Sequence, residues 1–157
     1  MILMQKKTEY DEGIYGGVFF IKSENKAIKV FKRTENKYEQ VDNVFKSEVE
    51  AYKLIELSDT LKKITPNFYG TVEISSIFDE NGMDISDNFY LDKAYQIEYV
   101  EGDFKKIGNF DINIKDQIFS IFNKEGIRYV QDASVIFENN EVKCVIDFAV
   151  KYYEQFW

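Results

Sequence analysis

Val41, Val44, Phe45, Val49, Tyr52 and Ile55 recur at spacings of three and four, a continuous apolar stripe of the kind a helix presents on one side. Such a stripe must be buried against something, and the segments around it read mostly as strands. "GIYGGVFFIKSENKAIKVFK" has aromatic and β-branched residues on both sides of the polar turn "KSENK", which predicts a hairpin. In its second half Ala27, Lys29 and Phe31 share one face, and Ile28 and Val30 the other. Glu48 falls inside the helical stripe, three residues after Phe45 and four before Tyr52. Two placements fit it: a rim position that reaches water, or a buried one where a cation must meet it, since a buried lone carboxylate is costly.

Beyond the helix, "ITPNFYGTVEI" reads as a loop entering a strand and holds the only proline, Pro66. "IFDENGMDISDN" reads as an acidic turn between strands. It is not a calcium loop of EF-hand type, because setting Gly82 at the sixth place puts Ile77 at the first, where an oxygen ligand is required. "KAYQIEYVEGDF" is a further strand ending in a turn at Gly102. "IKDQIFSIFNKEG" predicts a short helix with Ile114, Ile118, Phe119, Ile121 and Phe122 on one side and Gly126 near its stop. "SVIFENNEVKCVIDF" predicts a second hairpin around Glu138-Asn139-Asn140-Glu141, with Asp147 leaving its last strand. The order of strands, helix, strands, short helix and hairpin defines an α+β class.

Composition removes several chemistries. The 157 residues include no histidine, which excludes imidazole bases, serine–histidine and cysteine–histidine nucleophiles and most zinc sites. The single Cys144 excludes an intrachain disulfide. A net charge of −8 and a pI near 4.7 argue against a nucleic-acid groove and suit basic or neutral partners. "MILMQKK" is too short and wrongly charged for a signal peptide, and no stretch has the length of a membrane-spanning helix. A cytoplasmic setting is expected, in the chain's own cell or in an invaded one. The length suits one domain, or two small lobes sharing a cleft.

Four features stand in a telling order. "DEGIYGGV" carries Gly13 and Gly16, then Val18, with Tyr15 between the glycines; "AIK" follows on the next strand; Glu48 follows in the helix, nineteen positions after Lys29; and "DF" closes the last strand. In this order the chain resembles the protein kinase superfamily, whose signatures are G-x-G-x-x-G-x-V, V-A-I-K, a helix glutamate, H-R-D…N and D-F-G. The resemblance runs from about Tyr10 to Ala149. It implies a minimal kinase-like fold over 1–157: an antiparallel-sheet N-lobe with one helix and the hinge over 1–100, and a truncated C-lobe over 101–157.

The resemblance also implies roles. Gly13 and Gly16 would let the backbone approach nucleotide phosphates. Lys29 would neutralise those phosphates, with Glu48 holding its ammonium. Tyr15, Val18, Ala27 and Ile97 would line the nucleotide site, Ile97 at the back of the adenine pocket. Glu98 to Val100 would offer hinge backbone contacts, with Glu101 and Asp103 near the ribose. Asp147 would bind Mg²⁺ through hard carboxylate oxygen, so that ATP and Mg²⁺ are the implied cofactors.

The sequence departs from the family at several points. Asp11 stands where the first glycine belongs and Ala149 where the last glycine of D-F-G belongs. Counting back from Asp147 without gaps puts Ser134 on the Mg²⁺-binding asparagine and Tyr129 on the catalytic aspartate, which cannot act as a carboxylate base. A shortened loop, "YVQDAS", brings Asp132 to the catalytic place with Ser134 as a weak metal ligand; the alternative for Asp132 is an ordinary turn carboxylate. The chain stops eight residues beyond Ala149, without A-P-E or a substrate-holding platform, as in minimal kinases that some bacteria use as effectors. The aromatic tail "VKYYEQFW" suits docking onto the small C-terminal lobe or a binding surface.

Two functions are therefore expected. One is a minimal kinase-like phosphotransferase, with Asp132 assisting the attacking hydroxyl. The other is a pseudokinase-like binding protein, an inhibitor or immunity-type partner of another protein through its acidic surface or its tail. The acceptor, the partner and the oligomeric state are not legible.

Overall fold

The computed structural model describes residues 1–35 and 37–151, so the aromatic tail beyond Lys151 lies outside the described residues. The described residues form ten strands and three helices. They are β1 (Ile2–Gln5), β2 (Tyr10–Glu12), β3 (Gly16–Ile21), β4 (Lys26–Lys32), α1 (Tyr38–Ile55), α2 (Asp59–Lys62) and β5 (Phe68–Val72). There follow β6 (Ser76–Asp79), β7 (Phe89–Glu98), β8 (Lys105–Lys106), α3 (Ile112–Lys124), β9 (Ser134–Glu138) and β10 (Glu141–Ile146). The fold is α+β with sheets that are mainly antiparallel. Among the described residues no helix is long and apolar enough to cross a membrane.

The chain divides into two compact units, Met1–Phe45 with Phe68–Tyr99, and Lys46–Asn67 with Val100–Trp157. The change of unit inside α1 leaves its first turns with the first unit and Glu48 with the second.

The first unit is built on a five-stranded antiparallel sheet in the order β2–β3–β4–β7–β5. Its hairpin β3–β4 closes over residues 22–25, where Asn25 takes a left-handed φ of +56°. On one face of this sheet Phe19, Ile28, Val30, Phe89 and Ala94 pack with Ile74 and with Leu3 and Ile77. Leu3 and Ile77 face each other in the parallel ribbon β1–β6, which covers this side. On the opposite face Phe31 meets Phe45 of α1 edge-on, with ring centroids 5.5 Å apart. Asp42 on α1 and Lys93 on β7 pair at 2.8 Å, and that bond holds the ammonium above its ordinary pKa. The acidic turn after β6 satisfies itself. Asp79 accepts from the N–H groups of Asn81 and Met83, both at 2.9 Å, and Asp84 from that of Ser86; the Ser86 hydroxyl first, and then its N–H, lower the Asp84 carboxyl pKa. Such Asx turns are the business of a solvated hairpin tip.

The second unit carries a three-stranded antiparallel sheet, β10–β9–β8, and the buried side of α3. Asp111 caps α3 by accepting from the Ile114 N–H at 3.1 Å. At its other end Gly126 takes a φ of +89° while the Ile127 N–H returns to the Phe122 carbonyl at 3.1 Å, the left-handed stop that glycine allows without strain. Asn139 and Asn140, with φ of +53° and +62°, form the two-residue β9–β10 turn, a conformation that asparagine tolerates. Phe148 is buried against Tyr52 and Phe122, at centroid distances of 4.9 and 5.2 Å. The Val145 N–H also donates to the Ile64 carbonyl at 2.7 Å, tying β10 to the segment after α2.

Candidate functional site

Of the expected nucleotide residues of the first unit, Gly16, Val18, Ala27, Lys29 and Ile97 fall on one face of its sheet. Residues opposite each other in antiparallel register point the same way. Val18 faces Lys29, Lys29 faces Tyr95, and Ala27 faces both Phe20 and Ile97. Gly16 faces Phe31 one row further on. Val18, Ala27 and Ile97 thus form a small apolar area beside Lys29, on the face that the β1–β6 ribbon does not cover.

Gly16 has a physical reason to be glycine. A Cβ there would lie 3.0 Å from the Val30 carbonyl oxygen and 3.1 Å from Lys29 Cε, so the missing side chain makes room for the lysine stem. Lys29 Nζ ends 5.1 Å from the centre of the Phe31 ring. The turn before β3 is closed twice: the Gly13 N–H donates to the Gly16 carbonyl at 2.9 Å, and the Lys32 N–H donates to the Tyr15 carbonyl at 2.8 Å. Gly13 is exposed and Tyr15 half-buried. Asp11 sits in β2 opposite Val18 in extended backbone, which needs no glycine. At the far end of β7, Glu98 pairs with Lys26, and the Tyr99 N–H donates to the Asn25 carbonyl at 3.0 Å. Val100 is half-buried and opens the second unit.

The second unit gathers the other candidates. Glu48 is 1% exposed, so the rim placement is excluded and the stripe runs through a buried carboxylate. The Tyr52 hydroxyl is pushed up, chiefly by burial and then by the negative charges of Asp147 and Glu48. Asp147 follows the last residue of β10, is exposed, and takes a φ of +66°, which a short polar side chain tolerates better than most. The Ser134 hydroxyl donates to Asp147 Oδ2 at 3.4 Å, and Ser134 itself is buried.

Asp132 is exposed and engaged. Its carboxylate accepts from the Tyr129 hydroxyl, and its main-chain carbonyl accepts from Lys106 Nζ at 3.0 Å. Tyr129 also exchanges both backbone hydrogen bonds with Ala149, at 3.0 and 2.9 Å. Ala149 does not have a positive φ, so that position needs no glycine.

Lys106 and Ser47 were not expected at this site. Lys106 faces Ser134 across β8–β9, and a two-residue strand of lysines has no pattern to announce it. Ser47 is a polar residue on the buried side of α1, a signal the stripe alone leaves unread. Among the described residues no group of three or more aspartate, glutamate or cysteine side chains is placed to hold a metal by itself.

Comparison of the chain with protein-family models, with curated proteins and with solved structures found no match.

The tyrosines make stability sensitive to alkali. Burial first, with Glu12 and Asp11 adding to it, pushes the Tyr10 hydroxyl up to about 12, and Tyr52 is raised as well. Between the unfolded value near 10 and the raised folded value, only the unfolded chain sheds these protons. Their contribution is therefore full below about pH 10 and is lost as pH rises through the folded values. Urea midpoints are expected to fall above that pH, and Tyr52→Phe is expected to flatten the fall. A slope that Tyr52→Phe leaves unchanged would contradict the assignment.

Proposed function

We propose that the chain is a minimal kinase-like nucleotide-binding protein that takes ATP with Mg²⁺ and retains a weakened phosphotransfer loop. The observation that carries this is the sheet register: Gly16, Val18, Ala27, Lys29 and Ile97 share one face, with the Lys29 stem in the space of the missing Gly16 side chain. Val18, Ala27 and Ile97 offer an apolar surface to a purine, Lys29 a cation to its phosphates, and the backbone of Glu98 and Val100 an edge for the base. Gly13 and Tyr15 shape the turn beside the phosphates.

In the second unit Asp147 and Ser134 would hold Mg²⁺ through their oxygens. Two protein oxygens suit this ion, which takes the rest of its shell from phosphates and water. When bound, Mg²⁺ supplies charge neutralisation at the phosphates. Asp132 is the residue available to orient an attacking hydroxyl, since positioning does most of the work in phosphoryl transfer.

One observation favours a second function, nucleotide or partner binding with little turnover. The Asp132 carboxylate is already bonded to Tyr129, and no second carboxylate in this loop replaces it. An acidic chain of net charge −8 would then act by covering a basic protein partner.

Calorimetric titration of Mg²⁺–ATP into wild type and Gly16→Val separates the nucleotide claim from both functions. The valine displaces the Lys29 stem, and roughly tenfold or greater weakening is expected with the fold intact. A folded Gly16→Val that binds like wild type would contradict the assignment of this face.

A further inference from the structure

Resting on that reading, we infer that Ser47 is a positioning residue for the metal carboxylate Asp147. The segment after Asp147 is fastened on two sides. Toward residues 128–129 it makes the paired Tyr129–Ala149 bonds, and the Arg128 N–H donates to the Val150 carbonyl at 3.2 Å. Toward α1 both described fastenings end on one residue. The Val150 N–H donates to the Ser47 carbonyl at 3.3 Å, and the Lys151 N–H donates to Ser47 Oγ at 3.1 Å.

This second fastening has a consequence for Asp147. A left-handed φ on a residue other than glycine persists only where its surroundings hold it. The chain enters that turn from β10, fixed by its pairing with β9, and leaves it through Phe148, fixed between two rings. Ser47 fixes the backbone three and four residues beyond the turn, and does so on the helix that also bears Glu48. Ser47 is 5% exposed, so its hydroxyl bonds within the protein rather than exchanging with bulk water. The direction of the Asp147 carboxylate is thereby registered to α1 by a side chain that touches neither metal nor nucleotide.

The test measures Mg²⁺ affinity at saturating ATP, beside the affinity for ATP in chelator. Ser47→Ala is expected to weaken Mg²⁺ roughly three- to tenfold, the worth of one hydrogen bond, while leaving metal-free ATP binding unchanged. Lys151→Pro deletes the same bond from its donor end and is expected to give the same selective loss, so the test stands even where Ser47→Ala fails to fold. In an Asp147→Asn background, Ser47→Ala is expected to change Mg²⁺ affinity no further, because both act on one group.

Equal weakening of ATP and Mg²⁺, no weakening of either, or full additivity with Asp147→Asn would overturn the role of Ser47 while leaving the nucleotide site standing. A wild type that binds ATP without any dependence on Mg²⁺ would remove the metal assignment of Asp147, and the inference with it.

Discussion

Phe148→Ala is expected to destabilise the protein by about 3–5 kcal/mol, the range for truncating a buried phenylalanine. Phe148 is 2% exposed, and its ring lies between those of Tyr52 and Phe122. The second-unit part of α1, α3 and the segment just after β10 contribute one ring each to this stack. Its loss leaves a cavity whose walls are held apart by hydrogen-bonded backbone on either side, through Val145 to Ile64 and through Ala149 to Tyr129. Collapse is therefore poor and the cavity cost is high. Phe148→Leu, which refills most of the volume, is expected to cost less than about 1.5 kcal/mol. Denaturant unfolding at neutral pH measures both, and a cost below about 1 kcal/mol for the alanine variant would show that the stack is not a keystone of this unit.

The second large effect concerns ligand binding. Lys29→Ala is expected to weaken a fluorescent ATP analogue by roughly 10- to 100-fold, since a charge-assisted contact is worth about 1.5–3 kcal/mol. Lys29 lies beside Gly16 and above the Phe31 ring, on the sheet face away from the β1–β6 ribbon, so its truncation leaves the ribbon-covered face untouched. Unfolding midpoints should therefore move little while affinity falls. Asp147→Asn is expected to separate differently, keeping metal-free binding and losing the part that depends on Mg²⁺. If Lys29→Ala and wild type bind the analogue alike, the anion role of Lys29 is wrong.

Much of the fold was legible because local periodicity and turn chemistry agreed. The alternation in Ala27-Ile28-Lys29-Val30-Phe31 marked both faces of β4, and the 3.6-residue repeat from Val41 to Ile55 marked α1. Gly126 and the Asn139–Asn140 pair stand where left-handed backbone was needed. The strand β1 was not legible. It has four residues, is apolar on both sides, and its partner β6 lies some seventy positions later, so only pairing defines it.

The same limit applies to the site. Alternation alone places Ala27 and Lys29 on one face; that Ile97 stands opposite Ala27 requires the β4–β7 register, which no local signal encodes. A periodic stripe likewise does not distinguish centre from rim, which is why the burial of Glu48 needed the packed structure. Ser47 and Lys106 act through hydrogen bonds to backbone far away in sequence, and any serine or lysine at those positions reads as unremarkable until the chain is folded.

The most direct test of the proposed nucleotide site is the thermal unfolding midpoint of wild type during ATP titration, with Mg²⁺ and with chelator. At ATP about 100-fold above its dissociation constant, a ligand confined to the native state adds about 2.7 kcal/mol. For a chain of this size that corresponds to a rise of roughly 5–10 °C. A rise of that order that is larger with Mg²⁺ is predicted. An unchanged midpoint at saturating ATP, with and without Mg²⁺, would contradict nucleotide binding and leave partner binding as the function to pursue.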